Sequence, residues 1–296
     1  MKLHLFMLFL AASFLFSVGA PAVLLAQSAE GVYKTRIGSL EVTALSDAVG
    51  TMPFNLLLDV DPAKVKQSAA DAAVKGSGFP SYVNAFVIKL PAGLVLLDTG
   101  NGPSANLAKN MAAAGISPSD VIAVLLTHFH GDHVSGLLDE KGKAAFPNAV
   151  VYADQKENDY WMGDAKRKAL PKKVLAPYVA ADRYKLFSPG DELFPGVSAV
   201  ELYGHTPGHT GFFFKGGEQD LLVWGDIVHV RFVQFKYPEA TMTYDVDTAG
   251  AAATRARIMA EAAEKGYFVA GAHLPFPAIG KVVKAGSGYD YQSIDE

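Results

Sequence analysis

The chain has 296 residues, half of them hydrophobic and 19% charged, a composition that excludes disorder and collagen-like repeats and allows one large core or two smaller ones. Its formal charge of −4 becomes −5 when the Lys2-containing leader is set aside (−4 − 1 = −5), which provides no general attraction for nucleic acid or an anionic membrane. Cysteine is absent, so disulfides, thiolate nucleophiles and Cys-based zinc sites are excluded together, and any metal must be held by His, Asp and Glu.

Met1 to Ala26 begins with one cation, Lys2, and continues apolar, with only His4 able to add charge. This reads as a secretory signal peptide, with Ala20, Ala22 and Ala26 suited to cleavage and a periplasm-like space as the destination. An uncleaved anchor is the alternative, since an apolar run of roughly 20 residues can span a bilayer. From residue 27 to 296 there is no repeat, low-complexity tract or linker, which predicts one domain. Short β-rich runs come first: Gly38 to Thr43, then Val83 to Lys89 and Gly93 to Asp98, the last two joined by Leu90-Pro91-Ala92 as a hairpin. Ser104 to Ala114 is predicted to be a helix capped by Ser104 and ended by Gly115. Val121 to Thr127 is a continuous apolar strand. Ala149 to Ala153 reads as a strand and Asp154 to Trp161 as the start of a helix. Val197 to Tyr203, Gly211 to Phe214 and Leu221 to Trp224 read as strands. Thr248 to Lys265 is the clearest helix, with Ala251, Ile258 and Ala262 on its buried stripe. Mixed strands alternating with helices predict an α/β layered protein.

Chemistry concentrates in the histidines. Of eight, one is His4 and the other seven fall in four places. Directly after an apolar strand comes His128-Phe129-His130-Gly131-Asp132-His133. Residues two apart in extended chain point the same way, so His128 and His130 can face one cation, and a following helical turn would carry Asp132 and His133 to a neighbouring position. Four ligands in six residues suit two adjacent metals. Gly204-His205-Thr206-Pro207-Gly208-His209-Thr210 presents an imidazole on a proline-fixed turn, Trp224-Gly225-Asp226 ends a strand with a carboxylate able to bridge two ions, and Ala270-Gly271-Ala272-His273 adds another histidine.

These residues resemble the metallo-β-lactamase superfamily, whose landmarks occur here in order: Asp98 in Leu96-Leu97-Asp98-Thr99-Gly100, the HxHxDH array, His209, Asp226 and His273. The resemblance implies an αββα sandwich of two mixed β-sheets flanked by helices, with the site at one edge. It implies that His128, His130 and His209 hold one divalent ion, that Asp132, His133 and His273 hold the other, and that Asp226 bridges them. Asp98 would orient ligands by hydrogen bonding. His205 is assigned a structural role in its turn. Zinc suits such an N/O site first, and manganese, cobalt or iron fit similar ligands. A hydroxide shared between two cations would be the nucleophile, with Asp132 orienting it or passing a proton and Asp226 keeping the ions close.

A closer likeness is to the methyl parathion hydrolase branch, carried by Pro147 to Lys156 running on to Trp161, and by His273-Leu274-Pro275-Phe276-Pro277-Ala278-Ile279-Gly280. That branch implies secreted homodimers with aromatic pockets for small neutral apolar esters. Phe129, Trp161, Phe232 and Tyr244 are the pocket candidates, with His229 placed to join them. Gly131 stands where that branch often has proline, and His229 and Tyr244 stand where its efficient organophosphate enzyme carries smaller apolar residues. A polar, bulkier pocket favours a planar lactone or aryl ester over a tetrahedral phosphotriester. The expectation is a lactone or aryl ester hydrolase with secondary organophosphate triester hydrolysis. A dedicated organophosphate hydrolase is the alternative, and an iron-dependent oxidoreductase on the same ligand set is the alternative of a different class.

Overall fold

The computed structural model describes residues 27–164 and 166–296; the expected leader lies outside them. The chain opens with β1 (Gln27–Ala29), β2 (Val32–Ile37) and β3 (Leu40–Pro53), then β4 (Leu57–Leu58) and α1 (Pro62–Asp71). A hairpin of β5 (Gly78–Leu90) and β6 (Gly93–Leu97) leads to α2 (Leu107–Ala113) and β7 (Val121–Leu125). Next come α3 (Gly131–Val134), β8 (Val150–Asp154), α4 (Gln155–Met162), α5 (Ala169–Ala180) and β9 (Tyr184–Phe187). The second half holds β10 (Glu192–Phe194), β11 (Val197–Glu201), β12 (Thr210–Phe214), β13 (Leu221–Val223), α6 (Arg231–Gln234) and β14 (Thr241–Met242). It ends with α7 (Thr248–Lys265), β15 (Phe268–Ala270), β16 (Ile279–Ala285) and β17 (Gly288–Ser293).

Strands β1 to β9 except β4 form an eight-stranded sheet in the order β1-β2-β3-β5-β6-β7-β8-β9, and a seven-stranded sheet runs β10-β11-β12-β13-β15-β16-β17. Both are mixed: β6, β7, β8 and β9 are mutually parallel, as are β13 and β15. Alternation along the first sheet explains the layering. Phe86, Ile88, Val95, Leu97, Ala123 and Leu125 enter the core shared with the second sheet. Their neighbours Ala85, Val87, Leu96 and Val124 pack on the other face beneath Leu107 and Met111 of α2 and Val174, Leu175 and Tyr178 of α5. Strands buried on both faces read as continuous apolar runs, which is why Val121 to Leu125 shows no alternation of its own. Helix α7 adds Ile258, Met259 and Ala262 to the core on the second sheet's side. The order is therefore helix, sheet, sheet, helix: an αββα sandwich.

Two boundary differences position the site. Strands β3 and β5 are longer than expected, and their outer halves pair from Ala48↔Val83 to Pro53↔Gly78, past a register shift at Asp47. This extension, with β4 and β14, builds a third apolar cluster from Met52, Leu57, Phe79, Val230 and Met242. Helix α2 begins at Leu107 rather than Ser104, because its first N–H groups are met from outside: Asp47 Oδ1 accepts the Leu107 N–H at 2.9 Å, and the Asp47 carbonyl accepts the Asn106 N–H at 3.0 Å. A tertiary carboxylate replaces the local cap.

Candidate metal centre

Each chemistry-bearing segment follows a strand, and they meet at one edge of the sandwich. After β7 the chain leaves its sheet because Asp98 takes it over: Oδ1 accepts the Thr127 N–H and Oδ2 the Thr127 hydroxyl, both at 2.8 Å. His128 and His130 then point to one side, with His128 Nε2 2.9 Å from His130 Nδ1. His130 is still extended (ψ 155°) where it caps α3, and that single turn carries Asp132 and His133 to the adjacent position.

Two separate donor sets result, and Asp226, His229 and His273 form a third group that overlaps both. His128 Nε2, His130 Nδ1 and His205 Nε2 converge with Asp226 Oδ2, which lies 3.6 Å from His128 and 3.3 Å from His205. Asp132, His133 and His273 form the other set, with Asp132 Oδ2 3.7 Å from His133 Nε2 and 3.5 Å from His273 Nε2. Asp226 reaches this set too, Oδ1 lying 3.2 Å from His133 Nε2 and Oδ2 3.0 Å from His273 Nε2. His133 Nε2 and Asp226 Oδ1 are buried without a hydrogen-bond partner. Such orphans cost about 1–3 kcal/mol each unless something meets them, and a cation between them would. Imidazoles and carboxylates are donors that divalent zinc and its neighbours accept.

The outward nitrogens of these rings are held in place. His133 Nδ1 lies 2.8 Å from Asp98 Oδ2, His205 Nδ1 2.7 Å from Asp245 Oδ1, and His273 Nδ1 2.5 Å from the Tyr82 carbonyl. A proton on each Nδ1 leaves the Nε2 lone pair facing inward. Burial, with His205 beside it, brings His130 down to about 3, and burial and His133 hold His128 well below the usual histidine range. Burial works against the Asp226 carboxylate, but His133 and His273 keep it well below the usual carboxylate range. Burial also opposes charge on His133, His205 and His273, but the neighbouring carboxylates raise all three, His205 to about 9, so without a metal these rings hold protons against Asp226, and a bound cation would take the place of those protons.

The structure corrects the expectation for the Gly204–Thr210 turn. His209, expected as a ligand, faces away from both sets: its Nε2 accepts the Asp226 N–H at 3.0 Å and its Nδ1 meets the Leu202 carbonyl at 2.9 Å. Both nitrogens are spent on backbone, so His209 supports the strand end that carries Asp226. Gly225 makes this fit possible, with φ +54° and room for no Cβ, which would come within 2.6 Å of His209 Nε2. His205, expected to be structural, turns its Nε2 inward.

Three pocket expectations are also corrected. Phe129 is fully buried in the core beneath the helices, because side chains alternate and its neighbours His128 and His130 take the site face. Phe232 packs against Phe79 (6.1 Å between centroids) in the third apolar cluster and borders a separate surface cavity with Arg231 and Lys236. Trp161 meets the edge of His130 (centroids 5.5 Å apart, planes at 89°) and braces that ring. Tyr244 and His229 do line the cavity over the two donor sets, with Met52, Ser81, Val83 and Gly131; its volume is about 330 Å³. His229 is buried, its Nε2 3.2 Å from Asp226 Oδ2 and its ring stacked on His273 at 4.9 Å.

Two residues that sequence reasoning missed hold the centre together. Glu157, 1% exposed on α4, accepts the Phe129 N–H (2.8 Å) and the Trp161 indole N–H (2.6 Å) on Oε1, and the Gly208 N–H (3.0 Å) on Oε2. One carboxylate thus ties the His128–His133 segment to the His205–His209 turn. Asp245 orients His205 and is backed by the buried Arg255 of α7, whose Nη2 lies 3.9 Å away. A glutamate in the first turn of a helix and an aspartate 40 positions from His205 carry no local signal.

A family model described as the metallo-beta-lactamase superfamily matches residues 78–273. The solved hydrolase AbOPH, of the beta lactamase superfamily, is 33% identical and superposes with a TM-score of 0.85 over 90% of this chain and 99% of that one. AidC, a dizinc quorum-quenching lactonase, shares the fold at 23% identity, with a TM-score of 0.81 over 89% of this chain and 97% of that one. N-acyl homoserine lactonase AiiA of Bacillus thuringiensis subsp. kurstaki is 27% identical over 101 residues, 34% of this chain and 36% of that protein. The chain thus spans little more than a third of the length of the curated lactonases it matches. Two mixed sheets between helices, a His/Asp cluster at their edge and a family match from β5 to His273 agree: the chain belongs to the metallo-beta-lactamase superfamily.

Proposed function

We propose that this protein is a dinuclear-metal hydrolase of lactones and aryl esters, with organophosphate triester hydrolysis as a secondary activity. The observation that carries the reading is the pair of donor sets sharing Asp226 beneath a cavity of about 330 Å³. His128, His130 and His205 would hold one divalent ion, Asp132, His133 and His273 the other, with Asp226 between them. Zinc is the first candidate, on the donor chemistry and on the dizinc state of the structural neighbour AidC. When bound, the two ions supply Lewis-acid polarisation of a carbonyl or phosphoryl oxygen and lower the pKa of water.

The chain's own residues do the rest. Asp98 and Asp245 fix the rings of His133 and His205, and Asp226 concentrates negative charge where two cations must sit together. Asp132 is the more open of the two site carboxylates, its side chain 29% exposed against 2% for Asp226, and so can pass a proton between the cavity and solvent. His229 and Tyr244 narrow the cavity and give it polar atoms, which supports a planar ester over a tetrahedral phosphorus with three substituents. The lactonases among the curated relatives and solved structures support the same choice. Export through Met1 to Ala26 and assembly as a homodimer complete the proposal.

The test is a side-by-side kcat/KM on metal-replete protein for dihydrocoumarin, a long-chain acyl homoserine lactone, an aryl acetate and methyl paraoxon. A lactone preference of several orders of magnitude is expected. Comparable or faster paraoxon turnover would make the protein an organophosphate hydrolase instead.

A further inference from the structure

The net charge conceals a strong segregation. From Lys166 to Lys185 the chain holds seven cations and one anion, Asp182, a local charge of +6 (7 − 1), which leaves −10 for the rest (−4 − 6). Arg183 is turned inward, donating to the Phe146 and Ala149 carbonyls. Arg167 is half-buried, stacked over Tyr160 with its Nη2 3.9 Å from Asp164 just upstream, whereas Lys166, Lys172, Lys173 and Lys185 are exposed and Lys168 is half-exposed before, along and just after α5. Apolar side chains stand among them: Leu170, Val179 and Leu186 are three of the seven large hydrophobic residues most exposed in the described structure, Val179 at 56%.

This face borders the cavity. A Cβ on Gly131, which lines that cavity, would touch Leu170 Cδ2 at 3.6 Å. Three more of the exposed seven, Leu58, Tyr244 and Val246, belong to the β4 and β14 region, where Tyr244 lines the cavity as well. The entrance therefore has exposed apolar side chains from two separate parts of the fold, one of them strongly basic.

We propose that the basic, apolar face formed by α5 and its flanks docks on an anionic phospholipid bilayer, with the cavity entrance at the lipid–water boundary. A second copy of the chain fits badly, because a two-fold contact through this face would set +6 against +6. Nucleic acid would use the cations but leave Leu170, Val179 and Leu186 without a partner. Lys172 and Lys173 stand on the exposed side of α5 with Leu170 and Val179 at its two margins and further cations at its ends, and a cluster of cations of this kind is what an anionic bilayer surface attracts. No helix among the described residues is long and apolar enough to cross a membrane, so the contact is peripheral. Apolar esters partition into such a boundary, which would bring substrate to the entrance.

Vesicle binding is measured without turnover, so its outcome and that of the hydrolase proposal are separable. The chain from Gln27 onward, which holds every described element, is titrated with phosphatidylglycerol and with phosphatidylcholine vesicles. Binding is read by sedimentation and by quenching of Trp161 with brominated phosphatidylglycerol; the fully buried Trp224 serves as the internal reference. The expected result is binding about tenfold or more tighter to phosphatidylglycerol, weakened by salt. Lys166→Glu/Lys168→Glu/Lys172→Glu/Lys173→Glu should lower it about tenfold or more, and Leu170→Ser/Val179→Ser should reduce Trp161 quenching. No vesicle binding, equal binding to both lipids, or binding unchanged in the quadruple variant overturns the proposal. Binding of duplex DNA in place of vesicles also overturns it and assigns the face to nucleic acid.

Discussion

A buried imidazole carries a proton on one nitrogen and a lone pair on the other, and the partners around it decide whether that lone pair is free for a cation. His205 and His209 sit in the same turn, yet Asp245 fixes the proton of the first while the Asp226 N–H occupies the lone pair of the second. His205→Ala should therefore lose at least one equivalent of bound metal, and should also destabilise the metal-free protein because it leaves the buried Asp245 carboxylate without its partner. His209→Ala should keep its bound metal at saturating metal and destabilise the metal-free protein by about 2–4 kcal/mol, through two lost hydrogen bonds and a cavity. Metal analysis and urea unfolding of both variants check this, and the reverse pattern of metal loss would return His209 to the ligand set. Glu157→Gln is a second test at this scale. Gln keeps one carbonyl oxygen for Phe129 and Trp161 but presents N–H groups to the Gly208 N–H, so a loss of about 1–3 kcal/mol is expected. Most of the site was legible at this scale: seven ligand-type side chains stand in short motifs, and six of them converge. Which histidine of a GHTPGH turn points inward was not, because the deciding partners, Leu202, Asp226 and Asp245, come from other segments.

Among the elements, those specified locally were the easiest to read. Helix α7 spans Thr248–Lys265 as its apolar stripe predicts; Asp247 caps it through the Gly250 N–H, and Gly266 ends it at φ +69°. The hairpin of β5 and β6 turns at Pro91-Ala92, with Leu90 paired to Gly93. Where an end is set by a distant group, sequence reading failed, as at α2, whose first turn is capped by Asp47. Strand β7 stops at Leu125 rather than Thr127 for a related reason: Asp98 captures the Thr127 N–H. Helix α3 yields a prediction of its own. Gly131 is its first residue, where the N–H has no intrahelical acceptor, and His130 before it is extended, as a residue preceding proline must be. An added Cβ meets nothing nearer than Leu170 Cδ2 at 3.6 Å. Gly131→Pro should thus stabilise the protein by about 0.4–1 kcal/mol and leave its metal content unchanged, as thermal unfolding and metal analysis would show. A loss of metal would mean that His130 and Asp132 need the freedom of glycine.

Across the whole molecule, the centre joins both sheets. His128, His130, His133 and Asp132 follow strand β7 of the first, whereas His205, Asp226 and His273 come from loops of the second. Ions bound there act as cross-links between the two layers of the sandwich. Metal removal by a chelator should lower the midpoint of thermal unfolding, and free zinc at 100 times its dissociation constant should restore about 2.7 kcal/mol for each site. An unfolding midpoint that ignores both chelator and zinc would show that the donor sets do not bind metal in the folded state. An α/β layered fold was legible because strands and helices alternate along the chain, but the αββα arrangement of the two sheets was supplied by family resemblance.

Sequence by itself determined the elements, the absence of cysteine chemistry and the gathering of histidines after strand ends, since periodicity, turn residues and ligand spacing are properties of neighbours along the chain. Only the tertiary structure decided that His205 rather than His209 faces the centre, that Phe129 and Phe232 are packing residues, and that Glu157 and Asp245 hold the ligands. Those outcomes depend on which side of a backbone faces which partner, and most of those partners lie 17 to 51 residues apart, separations that no local pattern encodes.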